Sequence, residues 1–236
     1  MPHKTFFLTG TDTGVGKTLA SLFLVLSLKK RGFDAGYMKP VETGVKIRKN
    51  GARAYIDGSY VKKMGGLGAN IGSITPFTFE KPLAPYAASR FEGKKFTIGG
   101  IISSFKESSS GYDYMIVEGA GGMLVPFEKG FFAVDIAKKI GAPVILVTRA
   151  GLGMINQTLL SIECARSRGI EMGGIIINNA LNEKDESINS NKDILSELTD
   201  VPIIGNIPHL DKKELKDPKT LEWYALKYVD ISRILG

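Results

Sequence analysis

Short apolar runs rich in β-branched residues alternate along this chain with longer stretches in which apolar residues recur at helical spacing. The runs that predict strands cover residues 4–9, 35–38, 114–117, 143–148, 174–177 and 201–205. The two clearest helical stretches cover residues 16–31 and 155–168. Short buried strands separated by helices are typical of a parallel sheet that helices cover on both faces. The pattern therefore predicts an α/β fold with a mainly parallel sheet, built as one domain over residues 1–236.

Two segments carry a weaker pattern. Residues 45–74 are rich in Gly, Lys and Asn, so we expect a loop around one short helix there. Residues 211–236 carry no motif, and we expect them to form one or two helices that close the fold.

Composition and charge narrow the class of protein. The chain is 43% hydrophobic and 23% charged, with a formal net charge of +7, which is typical of a globular protein that could bind an anion. A single cysteine, Cys164, excludes an internal disulfide framework and fits a reducing, cytoplasmic compartment. The longest apolar run, about ten residues, is too short to span a bilayer. The lysines are scattered, whereas nucleic-acid binding needs a clustered basic face. We therefore expect neither a membrane nor a nucleic acid as a partner.

The ends of the predicted strands are the first place to look for a site, because ligands of parallel sheets bind at the carboxyl ends of the strands. The residues at these ends are Thr9 and Gly10, Lys39 and Pro40, Glu118 and Gly119, Thr148 and Arg149, Asn178 and Asn179, and Ile207 and Pro208. Several of these are unusual choices for a loop without a function.

The segment GTDTGVGKT, residues 10–18, resembles the phosphate-binding loop of P-loop NTPases. That signature is Gly, four residues, then Gly-Lys-Ser/Thr, whereas here Thr11 occupies the position of the first glycine. Gly14 and Gly16 would let backbone N–H groups turn toward phosphates at the start of a helix. Lys17 would reach the β- and γ-phosphates, and the hydroxyl of Thr18 would bind Mg²⁺.

The shifted glycine is itself informative, because the loop with this spacing is similar to that of dethiobiotin synthetases. Partition and septum-placement ATPases carry an additional lysine near the start of the loop, where this chain has Asp12. Two further motifs resemble the same family, KPVETG at residues 39–44 and VEGAGG at residues 117–122. Weaker matches are EKPLAPYAAS at 80–89, GLGMINQTLL at 151–160, and the short segments INNA and GNIPHL.

The resemblance, which covers about residues 5–210, implies roles for individual residues. It implies Lys39 and Lys17 as catalytic residues, and Thr18, Asp57 and Glu118 as Mg²⁺ ligands. The nucleotide contacts that it implies are Thr13, Gly14, Val15, Gly16, Lys17, Thr18, Leu19, Asp57, Glu118, Gly119, Ala120, Gly121, Asn178, Asn179, Ile207, Pro208 and His209. The substrate contacts that it implies are Thr11, Lys39, Thr43, Pro82, Gly121, Gly122, Gly153, Ile155 and Asn156.

Dethiobiotin synthetases join CO₂ to 7,8-diaminononanoate and close a cyclic urea at the expense of ATP. The resemblance therefore implies a Mg²⁺-dependent ligase of biotin biosynthesis that works through a carbamate and a carbamic–phosphoric anhydride. It also implies a homodimer with the substrate site at the interface.

Three alternatives stay open at this point. The first is a nucleotide-dependent switch of the partition-ATPase type, which Asp12 argues against. The second is another ligase of the same superfamily, such as the cobyrinate synthases, although these add a glutaminase domain for which this chain is too short. The third is a nucleic-acid-binding protein, which only the net charge favours.

Overall fold

The computed structural model describes residues 4–47 and 53–235, which form both strands and helices. The strands are β1 (Lys4–Gly10), β2 (Ala35–Met38), β3 (Val41–Thr43), β4 (Lys46–Ile47), β5 (Arg53–Ala54), β6 (Phe77–Phe79), β7 (Tyr114–Gly122), β8 (Pro126–Glu128), β9 (Phe131–Phe132), β10 (Val144–Arg149), β11 (Met172–Asn178) and β12 (Ile203–Ile207). The α-helices are α1 (Lys17–Lys30), α2 (Asp57–Met64), α3 (Ile71–Ile74), α4 (Pro85–Glu92), α5 (Ile98–Ser109), α6 (Ala133–Ile140), α7 (Met154–Ser167), α8 (Ser187–Leu198) and α9 (Pro218–Tyr228). A 3₁₀ turn at Glu214–Lys216 precedes α9.

Six strands form one parallel sheet in the order β12-β11-β10-β1-β7-β2. The first strand therefore lies inside the sheet, between β10 and β7. Short two-stranded pairs, β3 with β6, β4 with β5 and β8 with β9, lie outside it. The α/β fold with a mainly parallel sheet that the sequence predicts is confirmed.

The core has two layers because alternate side chains of a strand point to opposite faces of the sheet. In β1, Phe6 and Leu8 pack with α1, α2 and α9 on one face. Phe7 packs on the other face, with residues of α5, α6, α7 and α8. Burial on both faces explains why the central strands are apolar runs without alternation.

Helix α1 runs through the middle of the first layer, and its position sets that of the loop before it. Residues 20–28 of this helix are buried, because α1 packs against the sheet, α2 and α9. Gly16 lies at its N-cap with φ 88°. The first turn of α1 is therefore held at the carboxyl end of β1.

The structure corrects two expectations about the elements. β7 does not end before Glu118 but continues to Gly122, where it pairs with Gly10. Glycines usually indicate a turn, but here they allow a close approach: a Cβ on Gly119 would lie 2.8 Å from the ring of Phe7.

The second correction concerns residues 45–74, for which one short helix was expected. The described part of this segment has two helices, α2 and α3, and the paired strands β4 and β5. Residues 48–52 lie outside the described residues. The expectation of closing helices after residue 211 is confirmed by α9 and the 3₁₀ turn. In the part of the chain that the structure describes, every helix is too short or too polar to cross a bilayer.

Candidate functional site

The loop between β1 and α1 is held from two sides. A Cβ on Gly16 would lie 1.9 Å from the amide nitrogen of Asn178, so a larger residue there would have to displace that side chain. That amide donates a hydrogen bond of 3.0 Å to the carbonyl of Val15. From the other side, Lys17 Nζ donates to the carbonyl of Asp12 at 3.1 Å. The β11 end and the α1 start therefore fix the loop together.

A cluster of opposite charges lies directly behind this loop. Glu118 is fully buried, and its Oε1 accepts hydrogen bonds from Thr18 Oγ1 at 3.1 Å and from Lys39 Nζ at 2.9 Å. The same ammonium forms a second ion pair with Asp57, the first residue of α2. Four predicted residues from four separate segments of the chain are thus joined by one chain of hydrogen bonds and ion pairs.

The other oxygen of Glu118 has partners that the sequence analysis missed. Ser21 Oγ and Tyr37 Oη each donate to Oε2 at 2.9 Å. Burial, together with the charge of Glu118, raises the pKa of Tyr37 well above its ordinary value, so its hydroxyl stays protonated and donating. Periodicity could have found both residues, because Ser21 is one helical turn after Thr18 and Tyr37 is two positions before Lys39.

The two lysines have pKa values that shift in opposite directions. Burial lowers the pKa of Lys17, and the nearby charge of Lys39 adds to that effect, although Glu118 opposes it. Burial also acts to lower the pKa of Lys39, but the carboxylates of Glu118 and Asp57 outweigh it and raise the pKa above its ordinary value. Lys39 is therefore a firmly protonated ammonium.

Cavity A, with a volume of about 470 Å³, opens in front of these charges. The predicted residues that line it are Thr13, Gly14, Gly16, Lys17, Thr18, Lys39, Thr43, Asp57, Pro82, Glu118, Ala120 and Gly121. Val41, Leu83 and Val125 also line it and were missed. Val41 could have been found from Thr43, because residues two positions apart in a strand share a face.

Cavity B, with a volume of about 390 Å³, adjoins cavity A, because Gly16, Thr18 and Asp57 line both. Its other predicted residues are Leu19, Asn178, Pro208 and His209. The missed residues are Ile56, Tyr60, Ala180, Leu210 and Leu215. Ala180 and Leu210 could have been found, because they lie in the INNA and GNIPHL segments. Ile56, Tyr60 and Leu215 carry no such motif, since residues of this type are also typical of an ordinary core.

Two polar groups characterise cavity B. The amide oxygen of Asn178 is buried and has no hydrogen-bond partner among the residues that the structure describes, so it can accept a hydrogen bond from a ligand. Tyr60 Oη donates to the carbonyl of Leu215 at 2.9 Å. Burial raises the pKa of Tyr60 to about 12, which keeps this donor protonated.

Some predicted residues lie behind or away from these two cavities. Those behind the walls are Val15, Gly119, Gly122, Asn179 and Ile207. Asn179 exchanges hydrogen bonds with the backbone of Glu183 and so shapes the loop after β11.

A third group of predicted residues, all of them substrate contacts, lies at the surface of the protein. Gly153, Ile155 and Asn156 are at the start of α7, outside cavities A and B. Thr11 lines a separate cavity C of about 250 Å³, whose other residues include Leu124 and Leu160.

The strand end at Thr148 and Arg149 supports a loop and does not line cavity A or B, which corrects the expectation for that position. Thr148 Oγ1 accepts a hydrogen bond of 3.0 Å from Thr158 in α7. Arg149 donates to the carbonyl of Leu152 at 3.0 Å. The end of β10 therefore fixes the turn into α7.

The oxygen atoms around cavity A suit Mg²⁺. This ion takes oxygen ligands and usually uses one or two carboxylates together with water and substrate phosphates. Thr18, Asp57 and Glu118 offer a hydroxyl and two carboxylates of this kind. In residues 4–47 and 53–235, no group of three or more His, Cys, Asp or Glu side chains forms a complete metal cage. The donor set thus fits a metal that arrives with phosphate.

Comparisons with known proteins show which family the chain resembles. A family model described as "AAA domain" matches residues 4–216. The ATP-dependent dethiobiotin synthetase of Thermodesulfovibrio yellowstonii is 39% identical, and the alignment covers 98% of each chain. The enzyme of the same name from Bacillus velezensis is 34% identical over 99% of this chain and 97% of that one. The one from Aquifex aeolicus is 39% identical over 94% and 96%.

Solved structures share the architecture at much lower sequence identity. A ParA family ATPase from Chlorobium tepidum has a TM-score of 0.55 and 12% identity, over 95% of this chain and 98% of that chain. The MinC:MinD cell division complex of Aquifex aeolicus gives a TM-score of 0.55 and 17% identity, over 95% of both chains. At such identities the likeness concerns the fold alone.

Proposed function

The chain belongs to the family of ATP-dependent dethiobiotin synthetases, and from that premise we propose how its residues carry out the ring closure. The protein is a ligase of biotin biosynthesis that uses ATP to close the ureido ring of dethiobiotin. The partition-type switch is not favoured, since Asp12 replaces the additional lysine of those ATPases.

The proposed reactants are 7,8-diaminononanoate, CO₂ and ATP. One amine attacks CO₂ and loses a proton, which gives a carbamate whose carbon is too electron-rich for a second attack. Transfer of the γ-phosphoryl group to a carbamate oxygen gives a carbamic–phosphoric anhydride and ADP. The second amine then attacks that carbon, the ring closes, and phosphate leaves.

The protein's contribution is charge and position. Nucleotide, carbamate and transferring phosphoryl group are all anionic, so they repel one another unless cations lie between them. We assign Lys17 to the β- and γ-phosphates and Lys39 to the oxygens between carbamate and phosphoryl group, where preorganised cations lower the barrier. Ring closure also gains from a substrate held with its second amine close to the reacting carbon.

The observation that carries this proposal is the buried contact between Lys39 and Glu118, at 2.9 Å, in the same cavity wall as Thr18 and Lys17. It supports a site where cations and metal ligands converge on one oxygen-rich ligand. Thr18, Asp57 and Glu118 would hold Mg²⁺, which when bound neutralises phosphate charge.

Cavity B suits the base of the nucleotide. Its walls are mainly apolar, and the amide oxygen of Asn178, which has no partner among the described residues, can accept from the amino group of adenine. Backbone groups at Pro208 and His209 lie beside it. We therefore place the triphosphate in cavity A and the adenine in cavity B.

The substrate residues outside cavity A support a homodimer. Leu124 and Leu160, 51% and 63% exposed, flank Thr11 in cavity C, and Leu152 in the loop before α7 is 76% exposed. We propose that a second copy of the chain covers this leucine patch and brings Gly153, Ile155 and Asn156 to the substrate. We place the reaction in the cytoplasm, in keeping with the single cysteine and the use of ATP.

A direct assay tests the function. The protein is incubated with diaminononanoate, bicarbonate, Mg²⁺ and ATP, and the cyclic urea and ADP are quantified together. We expect equal amounts of both products, and neither when the diamine is omitted. ATP hydrolysis without urea, stimulated by membranes or DNA, would instead support the partition-type switch.

A further inference from the structure

Glu42 is a buried carboxylate beside the proposed active site, where it lines neither cavity A nor cavity B, and the mechanism above does not use it. It is 1% exposed and lies in β3 between Val41 and Thr43, which both line cavity A. Within the described residues, no Lys or Arg side chain comes within ion-pair distance of it. A buried charge is costly unless it is compensated, so its partners matter.

The partners of Glu42 are three consecutive backbone N–H groups. Oε1 accepts from the N–H of Ile56 and, at 3.0 Å, from that of Asp57, while Oε2 accepts from the N–H of Gly58 at 3.2 Å. These groups begin α2, where the first N–H donors of a helix have no intrahelical partner and form the positive end of its dipole. The carboxylate therefore satisfies this helix end with charge-assisted hydrogen bonds.

The packing at this helix start is close. A Cβ on Gly58 would lie 2.4 Å from Thr75 Oγ1 and 3.3 Å from Glu42 Oε2. The backbone can approach the carboxylate this closely because residue 58 is glycine. Glu42 thus binds the first turn of α2, and Thr75 packs closely against the same glycine.

We propose that Glu42 is a positioning residue that fixes the first turn of α2, so that Asp57 faces Lys39 and the metal–nucleotide complex. Asp57 is itself one of the residues whose N–H the carboxylate binds, and its side chain pairs with Lys39. The KPVETG segment then supplies both the catalytic ammonium and the anchor for the carboxylate opposite it. This inference rests on the proposed function, in which Asp57 is a Mg²⁺ ligand.

The test measures how strongly Mg²⁺ increases the affinity for a nucleotide. A non-hydrolysable ATP analogue is titrated calorimetrically with and without Mg²⁺, and the ratio of the two affinities is the metal coupling. In Glu42→Gln, one acceptor becomes an amide donor and the charge is lost. We expect the metal coupling to fall about tenfold to about a hundredfold, as for other supports of metal ligands, while metal-free affinity is unchanged.

A double-mutant cycle tests whether Glu42 changes the metal coupling through Asp57. Because Glu42 acts through Asp57, Glu42→Gln combined with Asp57→Asn should lose no more coupling than Asp57→Asn alone. Asp217→Asn is the matched control, because Asp217 caps α9 by accepting from the N–H groups of Lys219 and Thr220. That variant should lose stability in a melting experiment but keep the metal coupling.

Each failure has its own meaning. If Asp57→Asn loses the coupling and Glu42→Gln keeps it, the inference is wrong and the proposed function stands. If Asp57→Asn keeps the coupling, both the metal assignment and the inference are wrong. Equal loss in Asp217→Asn would attribute the effect to general destabilisation and overturn the inference. If Glu42→Gln is insoluble, Glu42→Asp takes its place, because it keeps the charge but has a shorter side chain. An unchanged metal coupling in Glu42→Asp would then overturn the inference equally.

Discussion

Among the single side chains of the site, Lys39 has the most contacts with groups of opposite charge. Lys39→Gln should lower kcat about 10²–10³-fold, because a preorganised charge near the developing anion is lost. The rate of ADP formation in the presence of diamine and bicarbonate measures this, with circular dichroism to check the fold. Lys106→Gln, on the exposed side of α5, is the control and should keep normal turnover. Near-normal turnover in Lys39→Gln would remove this residue from the mechanism.

Motif likeness predicted the residues that line cavity A better than those that support them. The family resemblance implied Lys39, Asp57 and Glu118, which lie in three separate segments of the chain, and the structure brings them together. Tyr37 and Glu42 were missed although each binds a predicted residue directly. Tyr37 could have been found from its spacing to Lys39, but the contacts of Glu42 depend on how β3 packs against α2, and a single sequence does not give that packing.

Among the elements, the β1–α1 loop allows a matched comparison of two glycines. Gly14 has φ +80° with nothing within 4 Å of an added Cβ, whereas Gly16 has φ +88° and meets Asn178 at 1.9 Å. An alanine at either position carries left-handed strain of about 1 kcal/mol, but only Gly16→Ala displaces Asn178. We expect Gly16→Ala to abolish nucleotide binding and Gly14→Ala to weaken it modestly, as calorimetry can measure. Equal losses would mean that backbone strain, not the contact with Asn178, decides binding.

The central elements could be predicted because strands and helices that are buried carry runs of apolar residues. The predicted strand at residues 35–38 has the observed bounds of β2, and the helix at residues 16–31 is one residue longer than α1 at each end. The extension of β7 was missed because Gly119, Gly121 and Gly122 look like a turn. One short helix was expected in residues 45–74, where α2 and α3 both form, because the anchor of α2, Glu42, lies 15 residues before Asp57 and outside the local pattern.

For the whole molecule, we propose the leucine patch of Leu124, Leu152 and Leu160 as the interface of a homodimer. Leu160→Glu places a charge in the proposed dimer contact and should give a monomer in size-exclusion chromatography with light scattering. Such a monomer should lose diamine turnover but keep nucleotide binding, because cavity B is separate from the patch. Leu226→Glu, at another exposed leucine on α9, is the control. A Leu160→Glu variant that remains dimeric would place the interface elsewhere.

The architecture could be predicted only in part. Apolar runs indicated a parallel sheet, and the rule for strand ends placed the site at one edge. The order β12-β11-β10-β1-β7-β2 does not follow the chain, and no local pattern encodes which strands become neighbours. Thr148 and Arg149 illustrate the limit, since their strand ends at the same edge of the sheet but supports the α7 turn.

Tyr60 and Leu215 join the wall of cavity B from positions 155 residues apart. A ribosome releases the chain from its amino end, so the β1–α1 loop and α2 emerge long before Leu215 does. If the adenine binds in cavity B, as we propose, its pocket is complete only once synthesis has passed Leu215. The stabilisation that a bound nucleotide gives would then reach the chain late, after every strand of the main sheet has been synthesised.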